Sequence, residues 1–409
     1  MSRPRRILLT SLSGQFGGME LRMIAEAQAL KALGHHVAVA APAFDGSAAL
    51  IAGLREQGGA FTPFQPQPIF TDWRRRHLAL LKAELWQRRR LARLRPDLVH
   101  VFFSWTDQGL DNLWLAGRSS IATVASVHNH FPIPDFPAWH RRHLGTAFGS
   151  LRGLYGVSRS ARDRFVEIYD PYIPADALRS VLYNFVDTER FRPSAAARQA
   201  ARQRLGLNPG LNPGLNLGLG PGGESDILIG AVGRFDDQKK PLDVLATFAR
   251  VRQRLPGARL LMVGEGPLEA ALRARIAELG CEEAVTLMGF QPDIETLYPA
   301  LDLHLLLRRN EGFGSVTAEA MACGVLAVGS RVPGTDEVIG DCPAGRLVAA
   351  GDSGQAAEAV VELLSQSADQ RAALGEAGRR HIVARFGKPA WQQGIAQFYG
   401  AVLDRKEAV

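Results

Sequence analysis

Short apolar runs alternate with segments of helical periodicity along the first half of the chain. The apolar runs predict strands at residues 6–10, 37–41, 98–103, 123–128, 154–158 and 181–183. Between the first two, residues 19–33 have helical spacing and are followed by Gly34, a residue type that commonly ends helices. Strand, helix and strand in this order form βαβ units, so the pattern predicts a parallel sheet.

The same alternation resumes after residue 226. Strands are predicted at residues 227–233, 259–263, 285–288, 303–307, 325–328 and 346–348, and helices at 241–254, 268–279, 315–323, 355–365 and 369–385. We therefore expect an α/β protein with two doubly wound, Rossmann-like domains, at residues 1–190 and 191–385. Ligands of such sheets bind outside the carboxyl ends of the strands, and two such sheets facing each other would form a cleft.

A short repeat stands between the two halves. Residues 205–223 read LGLNPGLNPGLNLGLGPGG, and so many Asn, Pro and Gly residues disfavour both helix and strand. We interpret this segment as a flexible insert in the second domain, with the domain boundary earlier, near residues 186–193.

The composition is that of a globular protein, with 46% hydrophobic and 22% charged residues. No apolar run is long enough to span a bilayer. The basic residues at the N-terminus precede only three apolar residues, too few for a signal peptide, so we expect a cytoplasmic protein. The three cysteines are scattered and fit neither a disulfide framework nor a metal site.

Positive charge is concentrated in residues 74–95. This segment holds nine Arg or Lys residues and one acid, Glu84, while the whole chain has a net charge of +7. Leu78, Leu81 and Leu85 share one helical face there. Two interpretations remain open: a helix that lies on an anionic membrane surface, or a solvated basic face packed by its leucines. Nucleic acid is disfavoured because no recognisable binding module accompanies the arginines.

Adjacent glycines follow the first predicted strand. Gly17 and Gly18 open the first helix, where backbone amides favour a phosphate or a sugar oxygen. The dinucleotide-binding fingerprint is absent, since neither its glycine spacing nor an acid after the second strand is present. A tight structural turn is the alternative.

Two cations follow the strand that ends at Gly233. Arg234 and Lys239 lie in the loop before Pro241, a favoured first residue of a helix. Fixed cations at the carboxyl end of a strand can stabilise the charge on a leaving diphosphate. Surface charges paired with Asp236 and Asp237 are the alternative.

Two glutamates stand eight positions apart around a glycine-rich turn. Glu311 follows the predicted strand 303–307, and Glu319 lies in the next helix. Carboxylates accept hydrogen bonds from vicinal hydroxyls, so Glu319 suits a ribose and Glu311 a donor-sugar hydroxyl. Between them, the amides of the turn form a further anion site at a helix N-terminus. The turn comprises Phe313, Gly314, Ser315 and Val316.

With these motifs, residues 230–339 resemble the donor-binding domain of the retaining glycosyltransferases of family 4, which have the GT-B fold. The matching segments are, in order, the Gly-Arg…Lys loop, LMVGEGP at 261–267, VTLMGF at 285–290, the E-x₇-E segment and PGTDEV at 333–338. Weaker similarity covers the first half, through GGME at 17–20, VH at 127–128, VS at 157–158, NFVD at 184–187 and FRP at 191–193.

The resemblance implies a role for each matching residue. Arg234 and Lys239 would bind the donor diphosphate, Glu319 the ribose, and Glu311 the transferred sugar. The amides of Gly17, Gly18 and of the Phe313–Val316 turn would meet phosphate or sugar oxygens. The nucleobase would rest near Gly289, Phe290 and Gln291, and His128 would lie near the reaction centre on the acceptor side.

The resemblance also implies the mechanism and the organisation. We expect an acceptor-binding first domain, a donor-binding second domain, and a last helix at residues 386–409 that returns to the first. The reaction would be a metal-independent, retaining hexosyl transfer from a nucleotide sugar, which is a co-substrate, so no cofactor is expected. The clue to the acceptor is the basic segment at residues 74–95, not the resemblance. It suggests a glycan or a lipid-linked sugar of cell-envelope polysaccharide or lipopolysaccharide synthesis, and a cytoplasmic protein peripheral to the inner face of the membrane.

Departures from the family pattern leave alternatives open. Arg308, Arg309 and Asn310 precede Glu311 where the family usually has small or polar residues, and arginines beside the donor sugar would suit a charged donor or acceptor. Asn184-Phe185 stands where the family often has Asn-Gly. A sugar-nucleotide epimerase on the same fold and a catalytically degenerate nucleotide-sugar binding protein are the alternative functions.

Overall fold

The computed structural model describes residues 3–12, 17–42, 47–56, 60–63, 77–105, 107–129, 138–207 and 227–404. The chain forms two compact units. Unit 1 comprises Met1–Asn184 with Trp391–Val409, and unit 2 comprises Phe185–Ala390. These boundaries lie a few residues from those predicted at 190 and 385. The insert predicted at 205–223 falls mostly outside the described residues.

Unit 1 contains a parallel sheet whose described strands have the order β3-β2-β1-β4-β5-β6-β7. The strands are β1 Arg6–Ser11, β2 His36–Ala41, β3 Ala60–Pro63, β4 Leu98–Phe103, β5 Ala122–Val127, β6 Leu151–Gly156 and β7 Leu178–Val181. Its first six helices are α1 Gly18–Ala32, α2 Ser47–Glu56, α3 His77–Leu94, α4 Leu110–Arg118, α5 Ala138–Phe148 and α6 Arg159–Tyr169. The central strand β4 is buried at every position, as expected where helices cover both faces of a parallel sheet.

Unit 2 repeats this architecture with the strand order β10-β9-β8-β11-β12-β13. The strands are β8 Ile227–Val232, β9 Ala258–Val263, β10 Val285–Met288, β11 Leu303–Leu306, β12 Leu326–Ser330 and β13 Gly345–Val348. The helices are α7 Ala195–Arg204, α8 Pro241–Arg254, α9 Glu269–Glu278, α10 Ser315–Ala322, α11 Thr335–Ile339, α12 Ser353–Leu364 and α13 Ala368–Phe386. The α/β fold class with two doubly wound domains is confirmed.

The last helix, α14 at Lys388–Leu403, belongs to unit 1 from Trp391 onward. Its apolar side chains Trp391, Ile395, Phe398 and Tyr399 are buried. Phe398 packs edge-on against Tyr155 of β6, with ring centroids 5.2 Å apart. The chain therefore returns to the first sheet after completing the second.

Two predicted strands of unit 1 are displaced. The prediction for β6 was residues 154–158, but the strand runs from Leu151 to Gly156. Ser158 accepts a hydrogen bond from the backbone amide of Ala161 at 3.1 Å and caps α6, so it cannot continue the strand. The strand β7 was predicted at 181–183 and ends at Val181. The edge strand β3, which was not predicted, is only four residues long and ends in a proline.

Candidate functional site

In unit 2 the strand order reverses between β8 and β11. Two connections lead outward from β8 to β9 and β10, and two lead outward from β11 to β12 and β13. A doubly wound sheet binds its ligand at this switch point, outside the carboxyl ends of the two strands. Arg234 and Lys239 follow β8, and Glu311 follows β11, so the fold brings these three predicted residues to the same edge.

Glycines allow the loops at this edge to pack backbone against backbone. A Cβ atom on Gly264, after β9, would lie 2.0 Å from the carbonyl oxygen of Gly233, after β8. A Cβ on Gly266 would lie 2.5 Å from the carbonyl oxygen of Phe235. Both of these contacts are shorter than any side chain tolerates, so the loop that carries Arg234 is fixed by its neighbour.

Lys239 is largely buried at the switch point. Its backbone amide donates to the Oδ1 atom of Asp236 at 3.0 Å, and its Nζ atom lies 3.7 Å from Oε2 of Glu311. Burial, together with the positive charges of Arg308 and Arg234, lowers the pKa of Lys239 to about 7. The ammonium group is therefore only partly protonated at neutral pH.

Arg308 is a further cation at the switch point, three residues before Glu311. Its side chain is 4% exposed and forms an ion pair with Oε2 of Glu311. The backbone amide of Arg308 donates to Ser330 Oγ at 3.1 Å, which ties the loop to β12. Burial lowers the pKa of the guanidinium to about 10, so it remains charged. Arg308 is one of the residues at which the sequence departs from the family pattern. In the structure it contacts Glu311.

Arg234 lies at the solvent side of the same cluster. Its side chain is 72% exposed and pairs with Oδ2 of Asp236 at 2.8 Å. With Lys239 and Arg308 it brings three basic side chains to the switch point, against the carboxylates of Asp236 and Glu311. The excess of basic over acidic side chains suits an incoming anion.

A second glycine-dependent contact positions Glu311. Gly334, in the loop before α11, has φ 85°, and a Cβ there would lie 2.8 Å from the carbonyl oxygen of Glu311. The Glu311 carboxylate accepts a hydrogen bond from the amide of Gly312 at 3.0 Å. Phe313 is buried and packs edge-on against Phe386 of α13, with ring centroids 5.3 Å apart. The turn between the two glutamates is therefore a rigid element.

Glu319 sits on α10, which begins at Ser315 after the left-handed Gly314, whose φ is 92°. The hydroxyl of Tyr298 donates to Oε2 of Glu319 at 3.1 Å. Burial raises the pKa of Glu319 to about 7, although the Tyr298 hydrogen bond and the charge of Arg190 act in the opposite direction. Ser315 is exposed and Val316 half-buried at the start of the helix.

The segment predicted to meet the nucleobase follows β10. The backbone amide of Phe290 donates to Oε1 of Glu265 at 3.1 Å, and a Cβ on Gly289 would lie 2.9 Å from the same oxygen. The Phe290 ring is 71% exposed, more than any other large hydrophobic side chain among the described residues. The amide of Gln291 folds back onto the carbonyl oxygens of residues 289 and 290.

Unit 1 holds the remaining predicted residues at the carboxyl edge of its own sheet. Gly17 precedes α1, and its backbone amide donates to Oε2 of Glu20 at 2.8 Å; Gly18 is the first residue of the helix. Residues 13–16 of this loop lie outside the described residues. His128 follows β5, and its Nε2 atom is 3.0 Å from Ser126 Oγ.

A buried polar cluster in unit 1 was not predicted. Glu26 of α1 is fully buried and accepts hydrogen bonds from Tyr155 at 2.6 Å and from Tyr399 at 2.7 Å. Its Oε1 atom lies 3.2 Å from Nδ1 of His100, and Arg22 Nε lies 3.4 Å from Oε2. Burial alone would raise the pKa of Glu26, but the charge and hydrogen bond of His100 and the charge of Arg22 hold it at about 2. The carboxylate is therefore ionised.

The basic segment at residues 74–95 is helical from His77 to Leu94, while residues 74–76 lie outside the described part of the chain. In α3, Gln87 and Leu91 are buried, whereas Leu85 and Trp86 are 53% and 57% exposed. Arg88 lies 3.7 Å from Glu84, which also pairs with Arg118. None of the described helices combines the length and apolarity needed to cross a membrane.

Two family models match this chain and together cover most of it. The model for "Glycosyltransferase Family 4" matches residues 16–190, and the model for "Glycosyl transferases group 1" matches residues 222–381. The first match lies mainly in unit 1, and the second lies within unit 2.

Curated relatives are similar over part of their length. N-acetyl-alpha-D-glucosaminyl L-malate synthase of Bacillus anthracis is 34% identical over 163 residues, which is 40% of this chain and 42% of that protein. D-inositol 3-phosphate glycosyltransferase of Segniliparus rotundus is 33% identical over 185 residues, or 44% and 41% of the two chains. The matches thus span about two fifths of these relatives.

Solved structures agree over nearly the whole chain. A glycosyltransferase from Rickettsia africae has a TM-score of 0.79 at 16% identity, covering 99% of this chain and 100% of that one. Anabaena HepE, solved with UDP and glucose, has a TM-score of 0.73 at 21% identity, with 97% and 100% coverage. At these identities the likeness concerns the fold. Taken with the two family models, it shows that the chain belongs to family 4 of the glycosyltransferases and has the GT-B fold.

Proposed function

We propose that this protein is a retaining glycosyltransferase that moves a sugar from a nucleotide-sugar donor to a glycan or lipid-linked acceptor in cell-envelope polysaccharide synthesis. The observation that carries the proposal is the cation cluster at the switch point of unit 2. There Lys239 and Arg308 lie against Glu311, and Arg234 stands at the solvent side.

The cluster fits a leaving nucleoside diphosphate. Negative charge grows on the phosphate oxygens as the bond to the sugar breaks, and fixed cations stabilise that charge without reorganising. We propose that Arg234 and Lys239 bind the diphosphate, which would make a divalent metal unnecessary. Glu311 would then face the transferred sugar, as a hydrogen-bond acceptor for its hydroxyls.

The anomeric configuration is retained if the acceptor attacks the anomeric carbon from the same face that the phosphate leaves. The acceptor oxygen forms the new bond to the anomeric carbon while the bond to the phosphate oxygen breaks, and a phosphate oxygen takes the acceptor proton. Glu311 is held by Lys239 and Arg308 as an ion pair, which stabilises it as a charge partner and disfavours its use as a nucleophile.

The nucleoside would be held by two features of unit 2. Glu319 offers a carboxylate to the ribose hydroxyls, and the exposed ring of Phe290 offers a surface on which a base can stack. Anabaena HepE, solved with UDP, and the pneumococcal transferase GtfA, solved with UDP and GlcNAc, share the fold. The UDP bound in both of these structures supports a nucleotide-sugar donor.

Thermal unfolding against UDP-, GDP-, ADP- and CMP-sugars tests this proposal. A ligand that binds only the native state stabilises it by about 2.7 kcal/mol at a hundredfold excess over its dissociation constant. We expect one nucleotide family to raise the melting temperature of the wild type, and less so that of Glu319→Ala. Glu358→Ala, which removes an exposed acid on α12 of the same unit, is the matched control.

Product analysis separates the transferase from its alternatives. We expect the donor that stabilises the protein to be hydrolysed slowly when no acceptor is present. When an acceptor is present, NMR should show that the glycoside formed keeps the donor's anomeric configuration. Binding without turnover would indicate a catalytically degenerate binding protein. Conversion of the donor into its epimer would identify an epimerase.

We further propose that the acceptor or the donor sugar is anionic. Arg308 and Arg309 stand beside Glu311, and the curated relatives include enzymes named for malate and for inositol 3-phosphate. Arg308→Ser should lower kcat/KM for an anionic substrate more than for its neutral analogue. Equal losses for the two substrates would refute this assignment.

We propose that α3 places the protein on the cytoplasmic face of an anionic membrane. Leu85 and Trp86 are exposed on this helix, Arg89 is exposed one turn from Leu85, and the Arg90 guanidinium stacks over the Trp86 ring at 5.3 Å. Exposed apolar side chains flanked by arginines are typical of helices that lie in a lipid interface.

Co-sedimentation with phosphatidylglycerol vesicles tests this surface. We expect the triple substitution Leu85→Ser, Trp86→Ser and Arg89→Ser to abolish binding. The control, Arg273→Ser with Arg275→Ser, removes one exposed and one half-buried arginine on α9 of unit 2 and should bind as the wild type does. Wild-type binding that is unaffected by the α3 substitutions would refute the proposal.

A further inference from the structure

A continuous line of polar groups joins His128 to the buried Glu26. His128 Nε2 lies 3.0 Å from Ser126 Oγ, the Ser126 hydroxyl is hydrogen-bonded to the Tyr155 hydroxyl, and that hydroxyl donates to Glu26 Oε2 at 2.6 Å. Ser126, Tyr155 and Glu26 are fully buried, so water does not compete along the line. We call these four residues the His128 relay.

The ionised carboxylate of Glu26, at one end of the His128 relay, fixes the direction of every hydrogen bond along it. An ionised carboxylate can only accept, so Tyr155 must give its single proton to Glu26. The Tyr155 oxygen then accepts from Ser126, whose own proton is thereby used. Ser126 can consequently only accept from His128, and the His128 Nε2 atom must carry a hydrogen.

The charge state of His128 agrees with this arrangement. Burial and the positive charge of Arg22 lower the pKa of His128 to about 3, with Glu26 acting in the opposite direction. The imidazole is therefore neutral at working pH, and a neutral imidazole with a hydrogen on Nε2 has a lone pair on Nδ1. The Phe102 ring stacks on the His128 imidazole with ring centroids 5.3 Å apart. This contact restricts rotation of the imidazole.

We infer that Glu26 sets, through Tyr155 and Ser126, the Nε2–H tautomer of His128, so that Nδ1 is presented as a hydrogen-bond acceptor for a hydroxyl group of the substrate. His128 is half-buried directly after the carboxyl end of β5, where a doubly wound sheet meets its ligand. The group that meets Nδ1 is a sugar or acceptor hydroxyl, and a phosphate oxygen or a carboxylate is excluded. This inference rests on the proposed function only for the nature of the substrate.

Two tyrosines offer a matched pair of substitutions. Tyr155 and Tyr399 are both fully buried, and both donate to Glu26. Only Tyr155 also contacts Ser126. Tyr155→Phe interrupts the His128 relay. Tyr399→Phe also removes a hydrogen bond to Glu26, together with a 2.7 Å contact to His100 Nδ1, but leaves the relay complete. Glu26 acts as a positioning residue. Comparison of the two variants separates its effect on His128 from its effect on protein stability.

The test is the tautomer of His128, read from long-range ¹H–¹⁵N correlation of histidine-labelled full-length protein, with the His128→Gln variant to assign the signal. We expect Nε2–H in the wild type and in Tyr399→Phe, and a tautomer mixture in Tyr155→Phe. A wild type with the hydrogen on Nδ1, or a Tyr155→Phe spectrum identical to the wild type, overturns the inference. Because this readout needs no substrate, it stands apart from any failure of the proposed function.

Kinetics add a second readout where transfer is measurable. We expect Tyr155→Phe to lower kcat/KM by about tenfold, the loss that corresponds to one substrate hydrogen bond, and Tyr399→Phe to stay within about twofold of the wild type. Melting temperatures of the two variants should fall by similar amounts. Equal losses of kcat/KM in both would show that Glu26 acts only through stability.

Discussion

Donor binding should take up a proton at Lys239. In the free protein burial and the charges of Arg308 and Arg234 lower the pKa of this lysine to about 7, so above pH 7 the side chain is mostly neutral. A bound diphosphate favours the charged form and raises the pKa toward its usual range. Between the free and the bound pKa, each pH unit therefore weakens binding by up to tenfold.

The size of the effect follows from the pKa difference. One pKa unit corresponds to about 1.4 kcal/mol, so raising the pH from 7.5 to 9.5 should weaken nucleoside diphosphate binding by as much as about 100-fold. Lys239→Arg is the control, because a guanidinium stays protonated throughout this range. The affinity of this variant should vary little with pH. Glu319 also titrates near neutrality, but its effect on the pH dependence of binding is the same in the wild type and the variant.

Isothermal titration calorimetry in two buffers of different ionisation enthalpy measures both the affinity and the protons taken up. We expect an uptake approaching one proton in the wild type at pH 8 to 9, and none attributable to residue 239 in the arginine variant. An affinity that is constant from pH 7.5 to 9.5, or a pH dependence that Lys239→Arg shares, would refute the assignment of the diphosphate to this lysine.

Three further predictions concern the rigidity of unit 2 and the titration of its carboxylate. Gly334→Ala should lower the free energy of unfolding by about 2–4 kcal/mol, since it adds a backbone clash to a positive φ, whereas Gly351→Ala, at a similar φ of 84° in open space, should cost about 1–2 kcal/mol in denaturant titrations. Tyr298→Phe removes the hydrogen bond that lowers the pKa of Glu319, so nucleoside diphosphate affinity should reach its maximum at a higher pH than in the wild type; an unchanged pH profile would contradict this. Ser367→Ala breaks the capping box of α13, in which Ser367 Oγ accepts from an amide at 3.2 Å, and should cost about 1 kcal/mol by thermal unfolding.

The sequence predicted the elements that are fixed by local chemistry. The helix predicted at 241–254 is found as α8, Pro241–Arg254, because a proline at the first helical position marks its start. The strand β6 was displaced because its end is decided by a close contact: a Cβ on Gly156 would lie 2.4 Å from the amide nitrogen of Arg162. Periodicity does not report such a turn.

The candidate site of unit 2 could be predicted because its residues lie in sequence order at the ends of strands. Arg234, Lys239 and Glu311 converge once β8 and β11 are neighbours. The contact between Arg308 and Glu311 could not be read from the sequence, since it depends on the side chain's path through the loop. Glu26 could not be found either, because its partners Tyr155 and Tyr399 are 129 and 373 positions away.

The position of Tyr399 has a consequence for the synthesis of this protein. Unit 1 is encoded in two pieces, and its second piece emerges from the ribosome only after all of unit 2. Until then the Glu26 carboxylate lacks one of its hydrogen-bond donors, and the surface that Trp391 and Phe398 cover is open to solvent. Unit 2 is contiguous and can complete its core during translation, whereas unit 1 must wait until α14 has been synthesised. Contacts of such long sequence separation form slowly, so the first domain to be synthesised should be the last to reach its native state.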